Sequence, residues 1–284
     1  MIEVSQLRFT YPGSKEPTLK GLNFAIPKGE IFGFLGPSGA GKSTTQKILI
    51  GILKRYEGTV RVMDRELRDV KSDYFEHIGV AFEFPNFYHR FTALENLSLF
   101  RSLYHGKTED PLHLLAMVGL EQYASTKVAD FSKGMKMRLN FCRALLNHPS
   151  ILFLDEPTSG LDPVNAKVMK DLILAQQAKG TTILITTHNM HAADEICNRV
   201  AFIVDGEINL INSPRELKVQ RGSKRVRIEY TENEHVHHAD FDLQQIGANP
   251  AFLQLLKNKP IETMHSQEAS LEEIFIEVTG RKLG

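Results

Sequence analysis

The chain has 284 residues, 42% of them hydrophobic and 24% charged, which allows about two domains and a sizeable core. Its 34 basic and 34 acidic residues cancel, so net charge gives no argument for a nucleic acid or an anionic membrane as partner. Cys142 and Cys197 are its two cysteines, too few and too far apart for a disulfide framework; both read as buried apolar residues in a reducing cytosol. No run of about 18 apolar residues offers a membrane span, and Met1-Ile2-Glu3-Val4 lacks the basic-then-apolar pattern of an export signal.

Residues 2–9 and 19–26 read as strands, the second alternating Leu22, Phe24 and Ile26 with polar or small neighbours. Tyr11-Pro12-Gly13 and Pro27-Lys28-Gly29 are turns. Tyr11 suits either stacking on an adenine ring or packing against its own sheet. The run 31–35 is a buried strand, and Gln46 to Leu53 reads as a helix carrying Ile48, Leu49, Ile52 and Leu53 inward. Between them lies Gly36-Pro37-Ser38-Gly39-Ala40-Gly41-Lys42-Ser43-Thr44, which contains the phosphate-loop pattern Gly-x-x-x-x-Gly-Lys-Ser. Gly36, Gly39 and Gly41 let backbone N–H groups approach a phosphate chain closely. The helix that follows aims its positive end at the same charge. Lys42 would reach the β and γ phosphates, and the Ser43 hydroxyl would ligate Mg²⁺.

Strands are expected at 59–63 and 78–82, the second closed by Glu83. Phe82, Phe84, Phe87, Tyr88 and Phe91 then cluster around Pro85 and Asn86, suited to a partner surface or to internal packing. Thr92-Ala93-Leu94-Glu95 is a capping box opening a helix with Leu97, Phe100 and Tyr104 on one side. Asp110-Pro111 opens another, with Leu112, Leu115 and Val118 inward. Ser132 starts a third, running to about Leu146. Residues 84–149 thus form a helical block inserted between strands. The apolar strand 151–154 ends in Asp155-Glu156. A helix from Asp162-Pro163 to Gly180 follows, then strand 181–187, which ends at His188. Strands 200–204 and 207–211 flank Asp205-Gly206, a hairpin signal. The alternation predicts a mostly parallel sheet with helices on both faces.

From about residue 216 the pattern changes. Lys218, Arg221, Lys224, Arg225 and Arg227 read as a solvated linker and strand face, with a lipid-headgroup site as the alternative. Val226, Ile228 and Tyr230 alternate as in a half-buried strand. His235, His237 and His238 read as a loop, since no cysteine or spaced carboxylate set joins them for a metal. Asn249-Pro250 opens a helix, and Ser270-Leu271-Glu272-Glu273 is a second capping box before Ile274, Phe275, Val278 and Gly280. Residues 216–284 are expected to be a small α+β module.

Four further motifs align with the loop. Asp155 and Glu156 end a buried strand, where they would face bound phosphates; Asp155 suits a Mg²⁺ contact and Glu156 suits polarising the attacking water. Phe131-Ser132-Lys133-Gly134-Met135 places a hydroxyl and bare backbone at a helix start, a second anion site or an ordinary cap. Ser159-Gly160-Leu161-Asp162 follows the two acids, and His188 at a strand end could contact a γ-phosphate.

In this order the motifs resemble the nucleotide-binding subunit of an ABC transporter over residues 1 to about 215. The resemblance implies a P-loop NTPase fold of the α/β class: a RecA-like core, an antiparallel β subdomain and a helical insertion at about 84–149. By the same resemblance Tyr11 is the adenine-stacking aromatic and residues 36–43 are Walker A. Residues 151–156 are Walker B with catalytic Glu156, Asp162 lies in the D-loop, and His188 is the switch histidine. Ser132 and Gly134 hold the signature position, usually Leu-Ser-Gly-Gly-Gln, with Lys133 and Met135 as substitutions. The family's signature covers ATP held by a second ATP-binding subunit, so a homo- or heterodimer is implied. The helical insertion would meet a transmembrane permease on the inner face of the membrane. Glu83 stands where the family has Gln, which adds a carboxylate to the expected Mg²⁺ donors Ser43 and Asp155. With the Ser-Lys-Gly-Met signature and the Leu-Glu-Glu-Ile-Phe-Ile-Glu-Val-Thr-Gly tail, it resembles a bacterial branch exporting drugs, antibiotics and lantibiotics. The implied cofactors are ATP and Mg²⁺, with no nucleic-acid partner; the alternative is a soluble ABC ATPase acting on a macromolecular partner.

Overall fold

A computed structural model describes residues 1–221, 225–232, 235–267 and 269–281. The chain divides into two compact units, one covering residues 1–213 and the other residues 214–281.

The first unit runs β1 (Ile2–Phe9), β2 (Leu19–Ile26), β3 (Ile31–Leu35), α1 (Lys42–Leu49), β4 (Glu57–Val62), β5 (Arg65–Glu66) and β6 (Ile78–Ala81). Three helices follow: α2 (Ala93–Arg101), α3 (Pro111–Met117) and α4 (Lys133–Leu145). Then come β7 (Ile151–Asp155), α5 (Pro163–Ala178), β8 (Thr182–Thr187), α6 (Met190–Ile196), β9 (Arg199–Val204) and β10 (Glu207–Asn212). One sheet is antiparallel, in the order β2-β1-β4-β5; the other has six strands in the order β10-β9-β3-β8-β7-β6. Strands β9, β3, β8, β7 and β6 are mutually parallel and β10 closes the edge antiparallel. Every residue of β3 is buried, as a strand covered on both faces requires. Phe24 of the antiparallel sheet stacks near Phe32 and meets Phe34 edge-on, with ring centroids 6.0 and 5.0 Å apart. These rings help fuse the two sheets into one core.

The parallel arrangement brings the carboxyl ends of β3, β6, β7 and β8 to one edge, with Leu35 level with Thr187 and Asp155 level with Thr186. Ligands of open α/β sheets bind at this edge.

The structure corrects several local expectations. Helix α1 spans 42–49 rather than 46–53: it starts directly at the loop lysine, and Ile52 lies beyond its end, 56% exposed. Gly51, with φ +86°, follows the last turn in a conformation that stops a helix. On α3 the buried pair is Leu114 and Leu115, whereas Leu112 is half exposed. Tyr104 lies past the end of α2. Helix α6 was not anticipated; Asn189 caps it by accepting from Ala192 N at 3.0 Å.

The second unit comprises α7 (Pro214–Arg221), β11 (Arg225–Glu232), β12 (His235–Asp242), α8 (Pro250–Asn258), β13 (Ile261–Gln267) and α9 (Leu271–Thr279). Its antiparallel sheet has the order β12-β11-β13, and Val226 and Ile228 pack with Phe252 of α8. His235, His237 and His238 lie on strand β12 rather than in a loop. Among the described residues no group of three or more His, Cys, Asp or Glu is placed to hold a metal. The capping box at Ser270 forms as expected. Lys224 of the basic run lies outside the described residues.

Candidate functional site

Gly41 caps α1 with φ +107° and no side-chain bond, so the helix start remains open to an anion. At Gly36 a Cβ would lie 2.1 Å from the Ile203 carbonyl oxygen, a spacing that only glycine allows. Ala40 is buried, and its carbonyl accepts from Gly206 N at 3.1 Å, which ties the loop to the β9–β10 turn. Lys42 Nζ donates to Gly36 O at 2.6 Å and Pro37 O at 2.9 Å. Burial pulls this ammonium below the usual lysine range, against the opposing pull of the Glu156, Asp155 and Glu83 carboxylates.

Asp155 ends β7 and accepts a hydrogen bond from the Thr186 hydroxyl. Burial raises its pKa, opposed by that hydrogen bond. Glu156 follows with φ +49°, a left-handed conformation unusual for a glutamate. Its amide donates to Thr186 O at 2.8 Å, which fixes the turn. Three donors hold its carboxylate. His188 N reaches Oε1 at 2.9 Å, His188 Nδ1 lies 2.7 Å from the same oxygen, and Thr187 Oγ1 donates to Oε2 at 2.8 Å. Asn189 N donates to that threonine hydroxyl at 3.0 Å, leaving its own proton for Glu156.

These groups surround a cavity of about 380 Å³, lined also by Ser38, Gly39, Ser43, Thr44, Glu83 and Tyr11. The Tyr11 hydroxyl lies 3.2 Å from Thr44 Oγ1, and its ring packs edge-on against Phe9 with centroids 4.8 Å apart. It is thus both packed on its sheet and present at the cavity rim. Ser43, Asp155 and Glu83 bring oxygen donors to the same space, the set a hard divalent cation takes, so the residues present fit Mg²⁺.

Ser132, Gly134 and Asp162 lie outside this cavity. Ser132 caps α4 by accepting from Met135 N at 3.2 Å, and Asp162 caps α5 by accepting from Asn165 N at 3.0 Å. The two loops adjoin: a Cβ on Gly134 would lie 3.3 Å from Leu161 Cδ2. Thr186 and Thr187 belong to none of the sequence motifs. Their signal was two hydroxyls at the end of the apolar run Ile183-Leu184-Ile185, one fully buried and one nearly so.

A family model described as ABC transporter matches residues 19–159. A second, described as the fluoroquinolone efflux ABC transporter C-terminal domain, matches residues 224–268. A fluoroquinolones export ATP-binding protein of Mycobacterium tuberculosis is 53% identical over all of this chain and 94% of its own. A lantibiotic transport ATP-binding protein of Streptococcus pyogenes is 34% identical over 74% of this chain and 90% of its own. A dimeric ATP-binding cassette solved in a post-hydrolysis state with ADP and Pi superposes with a TM-score of 0.68. It is 29% identical and matches 76% of this chain and 99% of its own. The phosphate loop, the carboxylate pair and the full-length likeness converge: the chain belongs to the ABC transporter family, as one of its ATP-binding subunits.

Proposed function

We propose that this subunit hydrolyses MgATP in the cavity between Tyr11 and His188, and that hydrolysis drives export of a drug-like small molecule or peptide through a separate permease. The observation that carries the reading is Glu156, a carboxylate anchored by Thr187 and His188 beside the phosphate loop. Its two oxygens offer about four lone-pair sites, and three donors occupy three of them. The remaining site on Oε2 is free to take a proton from an attacking water. Gly36 to Thr44 and the α1 start receive the phosphates, Lys42 supplies a fixed cation, and Tyr11 offers its ring to the base. Ser43, Asp155 and Glu83 would hold Mg²⁺, which neutralises phosphate charge when bound.

Ser132, Gly134 and Asp162, outside the cavity, form the surface toward a second ATP-binding subunit, identical or not. No helix of the described residues is long and apolar enough to cross a membrane, so transport needs a permease, with this chain on its cytoplasmic side. The groove of about 610 Å³ lined by Phe82, Phe87, Tyr88, Phe100, Tyr104 and Arg143 is the docking place for it. Phe84 stands beside that groove in the chain, 78% exposed. The cargo proposed is fluoroquinolone-like, after the relative with the greatest identity given above.

The test is ATP-driven uptake of a fluorescent fluoroquinolone into inverted vesicles holding the chain with its permease. Uptake with wild type and none with Glu156→Gln is expected. MgATP hydrolysis by the chain, with neither uptake nor permease stimulation, would favour a soluble ABC ATPase with a macromolecular partner.

A further inference from the structure

Gln46 takes no part in the site described above, yet it is 1% exposed and its side-chain Nε2 is buried without a hydrogen-bond partner. A buried amide NH₂ carries two donors, and such groups are nearly always satisfied. Gln46 lies one turn past Lys42 on α1, so it shares that residue's face of the helix. Its Oε1 lies 3.0 Å from Thr186 Oγ1. The same Thr186 oxygen is hydrogen-bonded to Asp155 Oδ1.

One hydroxyl proton shared between two acceptors binds each more weakly than it would bind one alone. With the Gln46 carbonyl toward Thr186, the proton is contested between an amide oxygen and a carboxylate. With the amide turned over, Nε2 donates to the Thr186 oxygen, and the Thr186 proton goes wholly to Asp155. That arrangement gives the buried NH₂ a partner and leaves the vacant place to a carbonyl oxygen, the group better tolerated without one. The bond to Asp155 is then charge-assisted and stronger than the neutral alternative. In that arrangement the Gln46 amide keeps the Thr186 proton on Asp155.

We propose that Gln46 is a positioning residue for Asp155: its buried amide, acting through the Thr186 hydroxyl, holds one carboxylate oxygen in place and leaves the other for Mg²⁺. This rests on the reading of the cavity as a MgATP site. Partners behind a metal-binding carboxylate orient it, and their loss typically weakens metal binding by about 10-fold or more.

The experiment measures binding of a non-hydrolysable ATP analogue in EDTA and across a Mg²⁺ titration, with a melting curve for each variant. Gln46→Met removes the amide at similar length, Thr186→Val removes the hydroxyl, and Thr186→Ser keeps it. Gln46→Met and Thr186→Val are expected to bind the analogue in EDTA within about 2-fold of wild type. Each should raise the half-saturating Mg²⁺ concentration about 10-fold. Thr186→Ser should match wild type, and the double variant should be no worse than either single one, because both break the same chain. If Gln46→Met folds poorly, Gln46→Leu makes the measurement, since it also removes the amide and leaves the Thr186 hydroxyl in place. Unchanged Mg²⁺ dependence in the folded variants, or equal losses with and without Mg²⁺, would overturn the proposal. Failure of wild type to bind the analogue under any condition would instead remove the MgATP reading itself.

Discussion

Glu83 and Glu156 line one cavity but differ in how they are held. Glu156 is 7% exposed with three donors on its carboxylate. Around Glu83 it is the backbone that is fixed: Asn140 Nδ2 donates to Phe82 O at 2.8 Å, and Arg143 Nη1 donates to Asn86 O at 3.1 Å. The loop that carries Glu83 is thus tied to the helix that carries Ser132, and its far side faces the aromatic groove. A carboxylate there is a stronger ligand for a hard cation than the neutral amide it resembles in position. Glu83→Ala should therefore lower permease-stimulated ATPase roughly 10-fold while ATP binding changes little, and Glu83→Gln should keep much of the activity. ATPase with and without reconstituted permease, across a Mg²⁺ titration, checks this; wild-type behaviour in both variants would remove Glu83 from coupling. The motif residues themselves were legible because phosphate and metal chemistry demand particular side chains at fixed spacing. Thr187 and Gln46 were not: a hydroxyl at the end of an apolar strand looks like any β-branched residue, and a glutamine in a polar helical stretch looks like a surface one, until the partner of each is seen.

Among the elements, α4 couples most features of the site. Its N-terminus is Ser132, its middle holds the Glu83 loop through Asn140 and Arg143, and it lies against β6. Gly79 on β6 permits that approach: a Cβ there would meet the Ala144 carbonyl oxygen at 1.9 Å. Gly79→Ala should force α4 away from β6 at a cost of about 3 kcal/mol, a fall in melting temperature of roughly 6 °C or more. Calorimetry checks it, and an unchanged melting temperature would mean that helix and strand can part freely. Strongly patterned elements were readable from sequence: β2 falls where the alternation of Leu22, Phe24 and Ile26 put it, and the Thr92 box caps α2 as expected. Elements without a pattern were not. The β13 segment Ile261-Glu262-Thr263-Met264-His265-Ser266-Gln267 has few apolar positions, and β12 hides three histidines in a strand paired along β11. Both are defined by cross-strand pairing, which a local reading cannot see.

At the scale of the whole molecule, the groups around the proposed nucleotide cavity all come from residues 11–188, within the first compact unit. A chain ended at Ser213 is therefore expected to fold and to bind MgATP within about 2-fold of the full chain, a difference of less than roughly 0.5 kcal/mol. Isothermal titration checks this, and loss of binding would assign the second unit a part in the site. That second unit has its own small core of Val226, Ile228 and Phe252. On the proposed reading, the loop at Ser132 and Gly134 and the aromatic groove are the partner surfaces of the first unit, and hydrolysis turns on Glu156. Steady-state ATPase of the purified chain, wild type against Glu156→Gln with nucleotide binding measured in parallel, is the most direct measurement. Turnover should fall about 10²-fold or more while ATP still binds; near-normal turnover in Glu156→Gln would contradict this mechanism of hydrolysis.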